Sequence, residues 1–249
     1  MTQAPRFDAA TETGGRPLGN LPEWDLRDLY PAPDSAEIKN DIDWLEKACA
    51  EFAADYEGKL ATLDAHGLLE AVQRYERIDI VAGRIMSYAG LRYYQQTTDS
   101  ERAKFMSDCQ DRITAYTTPL VFYGLEFNRL DEGHLETLLG QSQELNRYRP
   151  VFERMRAMKP YQLSDELEKF LHDQSSVGAA AWNKVFDETI AGLTFTVNGE
   201  ELGIEGTLNL LTDRDRAKRE AATHELARVC KTQIRLFSRI HNTLAKEKE

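Results

Sequence analysis

Residues 34–58, DSAEIKNDIDWLEKACAEFAADYEG, contain the pattern that decides the fold. Their apolar positions recur at spacings of four, three, four, three and four residues, which places one continuous stripe along a helix of 3.6 residues per turn. Asp34 and Glu37 stand where a capping-box-like start would put them, and Gly58 is a natural stop. The stretch predicts an amphipathic helix against a core. Its inward residues are Ile38, Ile42, Leu45, Cys49, Phe52 and Tyr56.

A second and a third helical pattern follow this one along the chain. Residues 67–96 carry an inward stripe, and Gly83 and Gly90 inside it are interpreted as small residues that permit close helix packing. Thr98 then offers a cap for a further helix that must kink or break at Pro119. The stripe of the second pattern is Leu68, Val72, Tyr75, Ile85, Met86 and Ala89. The stripe of the third is Phe105, Cys109, Ile113 and Tyr116.

Shorter helical patterns occupy the middle of the chain. The predicted helices cover residues 131–139, ending at Gly140, a segment that begins at Ser142, residues 165–172 with Ser164 as cap, and residues 179–191. A final helical pattern, capped by Thr212 or Asp213, runs to the last residue without a stop signal. That missing stop indicates a sequence cut from something longer.

The period changes from helical to alternating at residues 193–204. Leu193, Phe195 and Val197 alternate with threonines, and Asn198-Gly199 supplies two residues that tolerate positive φ. Leu202 and Ile204 continue the alternation beyond the turn, so a β-hairpin is predicted. The fold class is therefore mainly α, a multi-helix array with a small antiparallel β-hairpin near residues 193–204. Three segments are expected: a disordered tail at 1–19, a helical domain at 20–191, and the hairpin with its following helices at 192–249.

Composition excludes several classes of function. The chain has 249 residues and a net charge of -11, which opposes nucleic-acid binding because phosphate contacts need clustered Lys and Arg. No apolar run is long enough to span a membrane, and residues 1–19 lack the apolar segment of a secretory signal. The three cysteines, Cys49, Cys109 and Cys230, are far apart, form no ligand pair and fit core thiols in a reducing compartment. A cytoplasmic location is expected.

His224-Glu225-x-x-Arg228 is the sequence most similar to a catalytic motif. A zinc peptidase helix needs His-Glu-x-x-His, because histidines four residues apart bind the same ion. Arg228 stands at the fifth position, and a guanidinium has no lone pair to give. On one continuous helix His241 would lie roughly 25 Å away along the axis. We therefore predict no metal or catalytic residue in this chain.

Other candidate residues are interpreted as structural. Asp131 and His134 share a predicted helix face, as do Glu168 and His172, but a single acid–histidine pair is usually a surface pairing. Two further ligands from other helices would be needed for a metal site. The aromatic residues with groove-lining potential, which are more typical of a core at this spacing, are Tyr93, Tyr94 and Tyr148.

Five stretches, in order, resemble the oligoendopeptidase F family of thimet-oligopeptidase-like zinc metallopeptidases. They are residues 21–31 (LPEWDLRDLYP), 84–90 (RIMSYAG), 161–168 (YQLSDELE), 181–188 (AWNKVFDE) and 208–221 (LNLLTDRDRAKREA). The resemblance implies a helical shell around a channel that admits short unfolded peptides. It also implies zinc held by a His-Glu-x-x-His motif and a later glutamate, all beyond Glu249.

The resemblance assigns this chain to the N-terminal portion of such an enzyme, with the helices after the hairpin as the start of a truncated catalytic domain. It implies that these helices form one wall of the channel, that the hairpin contacts peptide backbone by strand pairing, and that the chain is inactive alone. The alternative is a stand-alone helical module that binds peptides or a protein without cleaving. Self-association is expected if the cut exposes apolar residues of the last helix. Those residues are Leu236, Phe237, Ile240 and Leu244.

Overall fold

The computed structural model describes residues 24–247, and the predicted tail at residues 1–19 lies outside them. Besides four short 3-10 helices, twelve α-helices are present in the described part of the chain: α1 Ala36–Tyr56, α2 Ala65–Gln95, α3 Ser100–Thr117, α4 Val121–Arg129, α5 Glu132–Gln141, α6 Gln143–Asn146, α7 Arg149–Ala157, α8 Asp165–Asp173, α9 Ala179–Ala191, α10 Ile204–Leu210, α11 Arg216–Thr232 and α12 Ile234–Glu247. The strands β1 Phe195–Val197 and β2 Glu200–Leu202 form one antiparallel hairpin. The mainly α fold class with one small hairpin is confirmed.

The core is built from the first seven helices. The stripe of α1 is buried as predicted, with Ile42 only partly buried, and α1, α2 and α3 pack against one another. Phe52 is fully buried, and its ring lies 4.8 Å from the ring of Tyr56, 5.8 Å from Tyr75, 6.0 Å from Phe122 and 5.6 Å from Tyr123. These contacts join α1, α2 and α4 through one aromatic cluster.

The segment before α1 is held to α2 by one arginine. The Arg84 guanidinium lies over the Tyr30 ring, 4.4 Å from its centroid, and donates to the backbone carbonyl of Leu29. The Tyr30 hydroxyl donates to Asp41 Oδ2 at 2.6 Å. Burial, and then the Asp41 hydrogen bond, raise the pKa of Tyr30. Two of the stretches that carry the family resemblance, residues 21–31 and 84–90, therefore meet in the fold.

Helix starts differ from the sequence prediction at several acidic residues. Asp99, not Thr98, caps α3 by accepting from the backbone N–H groups of Glu101 and Arg102. Asp215, not Thr212 or Asp213, caps α11. The α1 cap is Ser35, without a side-chain bond, and not Asp34. At all three starts, the capping residue is the one whose own backbone is extended where the helix begins.

Two predicted glycine roles are wrong. Gly140 lies inside α5, which continues to Gln141. Gly83 is exposed on α2, and a Cβ added there would contact nothing within 4 Å, so it permits no close packing. At Gly90 an added Cβ would meet only the Tyr94 ring at 3.7 Å. Gly58, in contrast, has φ +78 just after α1, as expected of a helix stop.

The last helical pattern is two helices and not one. Gln233 separates α11 from α12, and Ile204, predicted as strand, begins α10 behind Gly203. The apolar stripe of α12 does not face water as predicted: Ile240 is 4% exposed, and the Phe237 ring packs 5.5 Å from the Phe186 ring of α9. The exposed apolar face lies instead on α8, which buries no residue. Among residues 24–247, no helix is long and apolar enough to cross a membrane.

Replacing Phe52 with alanine tests the aromatic cluster. Phe52→Ala should lower the free energy of unfolding by about 3–5 kcal/mol, because it removes a fully buried ring and leaves a cavity between three helices. Urea denaturation followed by circular dichroism measures the change. The matched control is Phe170→Ala on α8, where a ring that is 59% exposed should contribute less than about 0.5 kcal/mol. Equal losses in both variants would contradict the packing described.

Candidate functional site

The hairpin and α11 form the part of the structure that bears most directly on the candidate motif. Asn198 and Gly199 have φ values of 53 and 88, so both turn residues are left-handed, as a type I′ turn requires. Phe195 and Val197 are buried and Thr196 is exposed, which confirms the predicted alternation in β1. Phe195 pairs with Leu202, Thr196 with Glu201, and Val197 with Glu200.

Glu225 closes the outer edge of β1. The backbone N–H of Thr196 points away from β2 and donates to Glu225 Oε1 at 2.9 Å. Arg228, one turn further along α11, donates from Nε to Oε2 and from Nη2 to Oε1, both at 2.7 Å. The Arg228 bonds, followed by the Thr196 bond, lower the pKa of the Glu225 carboxyl from 4.5 to about 2. A carboxylate this acidic and this fully engaged is unsuited to act as a general base near neutral pH.

The residues around Glu225 do not fit a zinc ion. His224 is 79% exposed, and its Nε2 lies 3.8 Å from Glu220 Oε1. The Arg228 guanidinium, which has no lone pair to give a metal, binds both carboxylate oxygens of Glu225. His224 and His241 were expected to lie roughly 25 Å apart on one continuous helix. The helix breaks at Gln233, so that distance does not apply. Nevertheless, no group of three or more His, Cys, Asp or Glu side chains within residues 24–247 is arranged to hold a metal.

The two acid–histidine pairs do not pair through their side chains. Asp131 caps α5 by accepting from the backbone N–H of His134 at 2.9 Å. Glu168 accepts from the Leu163 backbone N–H at 2.9 Å, while the His172 ring lies 3.0 Å from the Thr118 hydroxyl. Burial lowers the pKa of His172. Both carboxylates therefore accept backbone hydrogen bonds at the start of a helix, Asp131 at α5 and Glu168 at α8.

The cysteines and tyrosines have separate surroundings. Burial raises the pKa of Cys49 and of Cys109 to about 11, so their interpretation as core thiols is confirmed, and Cys230 is half-buried. The candidate groove residues divide between core and surface. Tyr93 is 4% exposed, Tyr94 is 66% exposed, and Tyr148 donates to Glu76 Oε2 at 2.8 Å.

The link between Thr196 and Glu225 was not predicted from the sequence. The three-residue spacing of Glu225 and Arg228 indicates a helix-surface ion pair, but nothing local identifies a partner 29 residues away. A second residue pair that the sequence analysis missed is Arg235 and Arg239, which lie one turn apart on α12. Their four-residue spacing on one face was the available signal.

Comparison with known proteins finds relatives that are similar to this chain in sequence and fold. Residues 126–195 match the family model described as Oligopeptidase F. The chain is 26% identical over 231 residues to Oligopeptidase PepF of Bacillus subtilis, an alignment that covers 89% of this chain and 32% of the relative. It is 23% identical over 210 residues to the plasmid Oligoendopeptidase F of Lactococcus lactis subsp. cremoris, covering 80% and 34%. The chain is similar to the oligoendopeptidase F family, in agreement with the resemblance noted in its sequence.

The same comparison fixes the fold and the extent of the match. The crystal structure of oligoendopeptidase-F from Enterococcus faecium superimposes with a TM-score of 0.73 at 20% identity, covering 83% of this chain and 42% of that one. The chain spans about a third of the length of the curated oligoendopeptidase F relatives it matches. The similarity is to the N-terminal part of these proteins.

Glu225→Gln tests whether the carboxylate holds the hairpin on α11. The folded-state pKa of Glu225 is lowered, so its stabilising effect is present above about pH 4.5 and is lost as the pH falls towards 2. The variant should melt at a lower temperature than the parent at pH 6, and this difference should shrink between pH 4.5 and 2. Thermal melts at four pH values measure it. Glu220→Gln, which alters an exposed carboxylate on the same helix, is the control; an unchanged difference across that pH range would contradict the assignment.

Proposed function

We propose that this chain forms part of the wall of a peptidase channel, in a zinc-dependent oligopeptidase that hydrolyses short unfolded peptides. The observation that carries the proposal is the fold match over 83% of the chain to an oligoendopeptidase-F, supported by curated relatives named as oligopeptidases. The proposed catalytic activity belongs to the whole enzyme. A cytoplasmic location is part of the proposal, on the basis of the three separated cysteines.

Zinc and catalysis are assigned to residues outside this sequence. The 249 residues contain no His-Glu-x-x-His, and the nearest approach to it has its glutamate bound to Arg228 and Thr196. When bound, zinc would polarise the scissile carbonyl and lower the pKa of its water. No described residue of this chain is given a role in that step. The chain alone is therefore proposed to be inactive.

The alternative function, binding without cleavage, is favoured by a specific surface. α8 has no buried residue, and its apolar side chains Leu167, Phe170 and Leu171 are 50%, 59% and 51% exposed. In an oligopeptidase this face would pack against the rest of the enzyme; in a stand-alone module it would bind a partner or a second copy. Self-association of the isolated chain is therefore proposed through α8 and no longer through α12.

A cleavage assay tests the proposed division of function. The purified chain, incubated with zinc and an internally quenched peptide, should show no cleavage that a chelator abolishes. A longer polypeptide that includes a downstream His-Glu-x-x-His should cleave the same peptide, and replacement of the glutamate in that motif should abolish the activity. Chelator-sensitive cleavage by the 249-residue chain would contradict the proposal, whereas peptide binding without cleavage in either form would favour the alternative.

Peptide backbone is proposed to pair with β2 and not with β1. The outward N–H of β1 is already bound by Glu225. Along an antiparallel ladder, residues whose backbone groups bond to the partner strand alternate with residues whose groups point outwards. Glu201 lies opposite Thr196, so its N–H and C=O point away from β1, to the free edge of β2. Glu200 and Glu201 are exposed there. An extended peptide could therefore add as a third strand beside β2.

Glu201→Pro tests the strand pairing. Proline removes the outward N–H without breaking a bond to β1, so a labelled unstructured peptide should bind about tenfold more weakly in fluorescence anisotropy. Glu201→Thr keeps the N–H and removes the charge, and it should bind like the parent. If both variants lose affinity equally, charge and not backbone pairing is responsible.

A further inference from the structure

An open groove with a basic side lies between the start of α9 and the length of α12. Its volume is about 740 Å³, within the range of about 300–1,000 Å³ typical of ligand sites. Its lining includes Gly178, Trp182, Arg235, Ser238, Arg239 and Asn242. The groove is separate from the Glu225 site and from the edge of β2.

The polar side of α12 lies opposite its packing side. Residues 235, 239, 242 and 246 follow one another at spacings of four, three and four, so they share one face. Ile240 and Phe237, on the opposite face, pack towards the protein and include the contact with Phe186. The basic face is therefore held outwards by burial of the apolar face.

The two guanidinium groups of this face have no carboxylate partner among the described residues. By contrast, Arg74 is paired with Asp55, and Arg149 with Glu136. Arg235 and Arg239 are both exposed. In a chain with a net charge of -11, two adjacent arginines without an acidic partner form a local site of opposite sign.

Glu247 is the one acidic residue among the described residues that line the groove, and its carboxylate is bound at the start of α9. The Ala179 backbone N–H donates to Glu247 Oε1 at 3.2 Å, at the first turn of α9. The side chains of Ser238, Asn242 and Thr243 add neutral hydrogen-bonding groups, and Trp182 adds an aromatic surface. The groove thus offers guanidinium forks, hydroxyl and amide groups, and one aromatic ring.

The dimensions of the basic face match an extended chain. From Arg235 to Lys246 the helix rises about 16 Å, which is the length of about five extended residues. Arg235 and Arg239 are separated by a rise of about 6 Å, close to the ~6.6 Å between alternate residues of an extended peptide, whose side chains point to the same side. Guanidinium groups bind carboxylates by paired hydrogen bonds.

We propose that this groove binds a short acidic peptide in extended form, with carboxylates on alternate residues facing Arg235 and Arg239. Trp182 covers the intervening apolar positions. Binding at the groove requires neither zinc nor cleavage, so it stands independently of the proposed peptidase function.

Fluorescence anisotropy on the intact 249-residue chain tests this proposal. The probe is a labelled, acetylated and amidated Glu-Ala-Glu-Ala-Glu peptide. Arg235→Gln combined with Arg239→Gln should weaken its binding by at least about tenfold. Arg154→Gln, at an exposed arginine of α7 outside the groove, should leave it unchanged. Binding should also fall as the salt concentration rises.

Three further measurements test the chemistry of the ligand and the role of Trp182. A Gln-Ala-Gln-Ala-Gln peptide that binds as well as the acidic probe would overturn the proposal, as would equal binding by the double arginine variant. Inorganic phosphate that displaces the probe at equal concentration would replace the peptide site with a general anion site, and it too would overturn the proposal. Quenching of Trp182 emission by the acidic peptide, lost in Trp182→Phe, would support it.

Discussion

The hydrogen bond from the Thr196 backbone N–H to Glu225 joins the hairpin to α11. A two-stranded hairpin is not stable alone and needs packing on one face. Here α11 supplies that packing, and Glu225 satisfies the outward N–H of β1 that would otherwise be exposed at a strand edge. The outward N–H of β2, at Glu201, has no such partner among the described residues. The Thr196 bond also engages the carboxylate of the most suggestive motif in the sequence in a structural interaction.

Arg228 extends this arrangement to lower pH. Its two hydrogen bonds to the carboxylate favour the ionised form of Glu225, which accepts from Thr196. An arginine at the fifth position of the motif is thus incompatible with zinc binding and well suited to hold a carboxylate on a strand edge. One residue type decides between the catalytic and the structural interpretation.

The sequence predicted the helical core and the hairpin because both depend on local periodicity. The stripe of α1 and the Asn198-Gly199 turn lie where the pattern places them. Cap positions were less predictable, because several good capping residues lie within three positions of one another and only backbone geometry selects Asp99 or Asp215. The break at Gln233 was missed since neither Gly nor Pro marks it and the apolar spacing continues across it.

The surfaces that carry the proposals depend on long-range packing. The apolar residues of α12 were expected to face solvent, but Phe237 contacts Phe186 on α9, and no pattern within α12 identifies that partner. The exposed apolar face lies on α8, and the basic face of α12 remains outward.

The most direct test of the central claim is the zinc content of the purified 249-residue chain. The chain should be incubated with excess zinc, passed through a desalting column and measured by mass spectrometry for bound metal. With Glu225 held by Arg228 and Thr196, the account predicts well below one zinc ion per chain, with no change on His224→Ala. One tightly retained zinc ion per chain, lost on His224→Ala or Glu225→Gln, would contradict it.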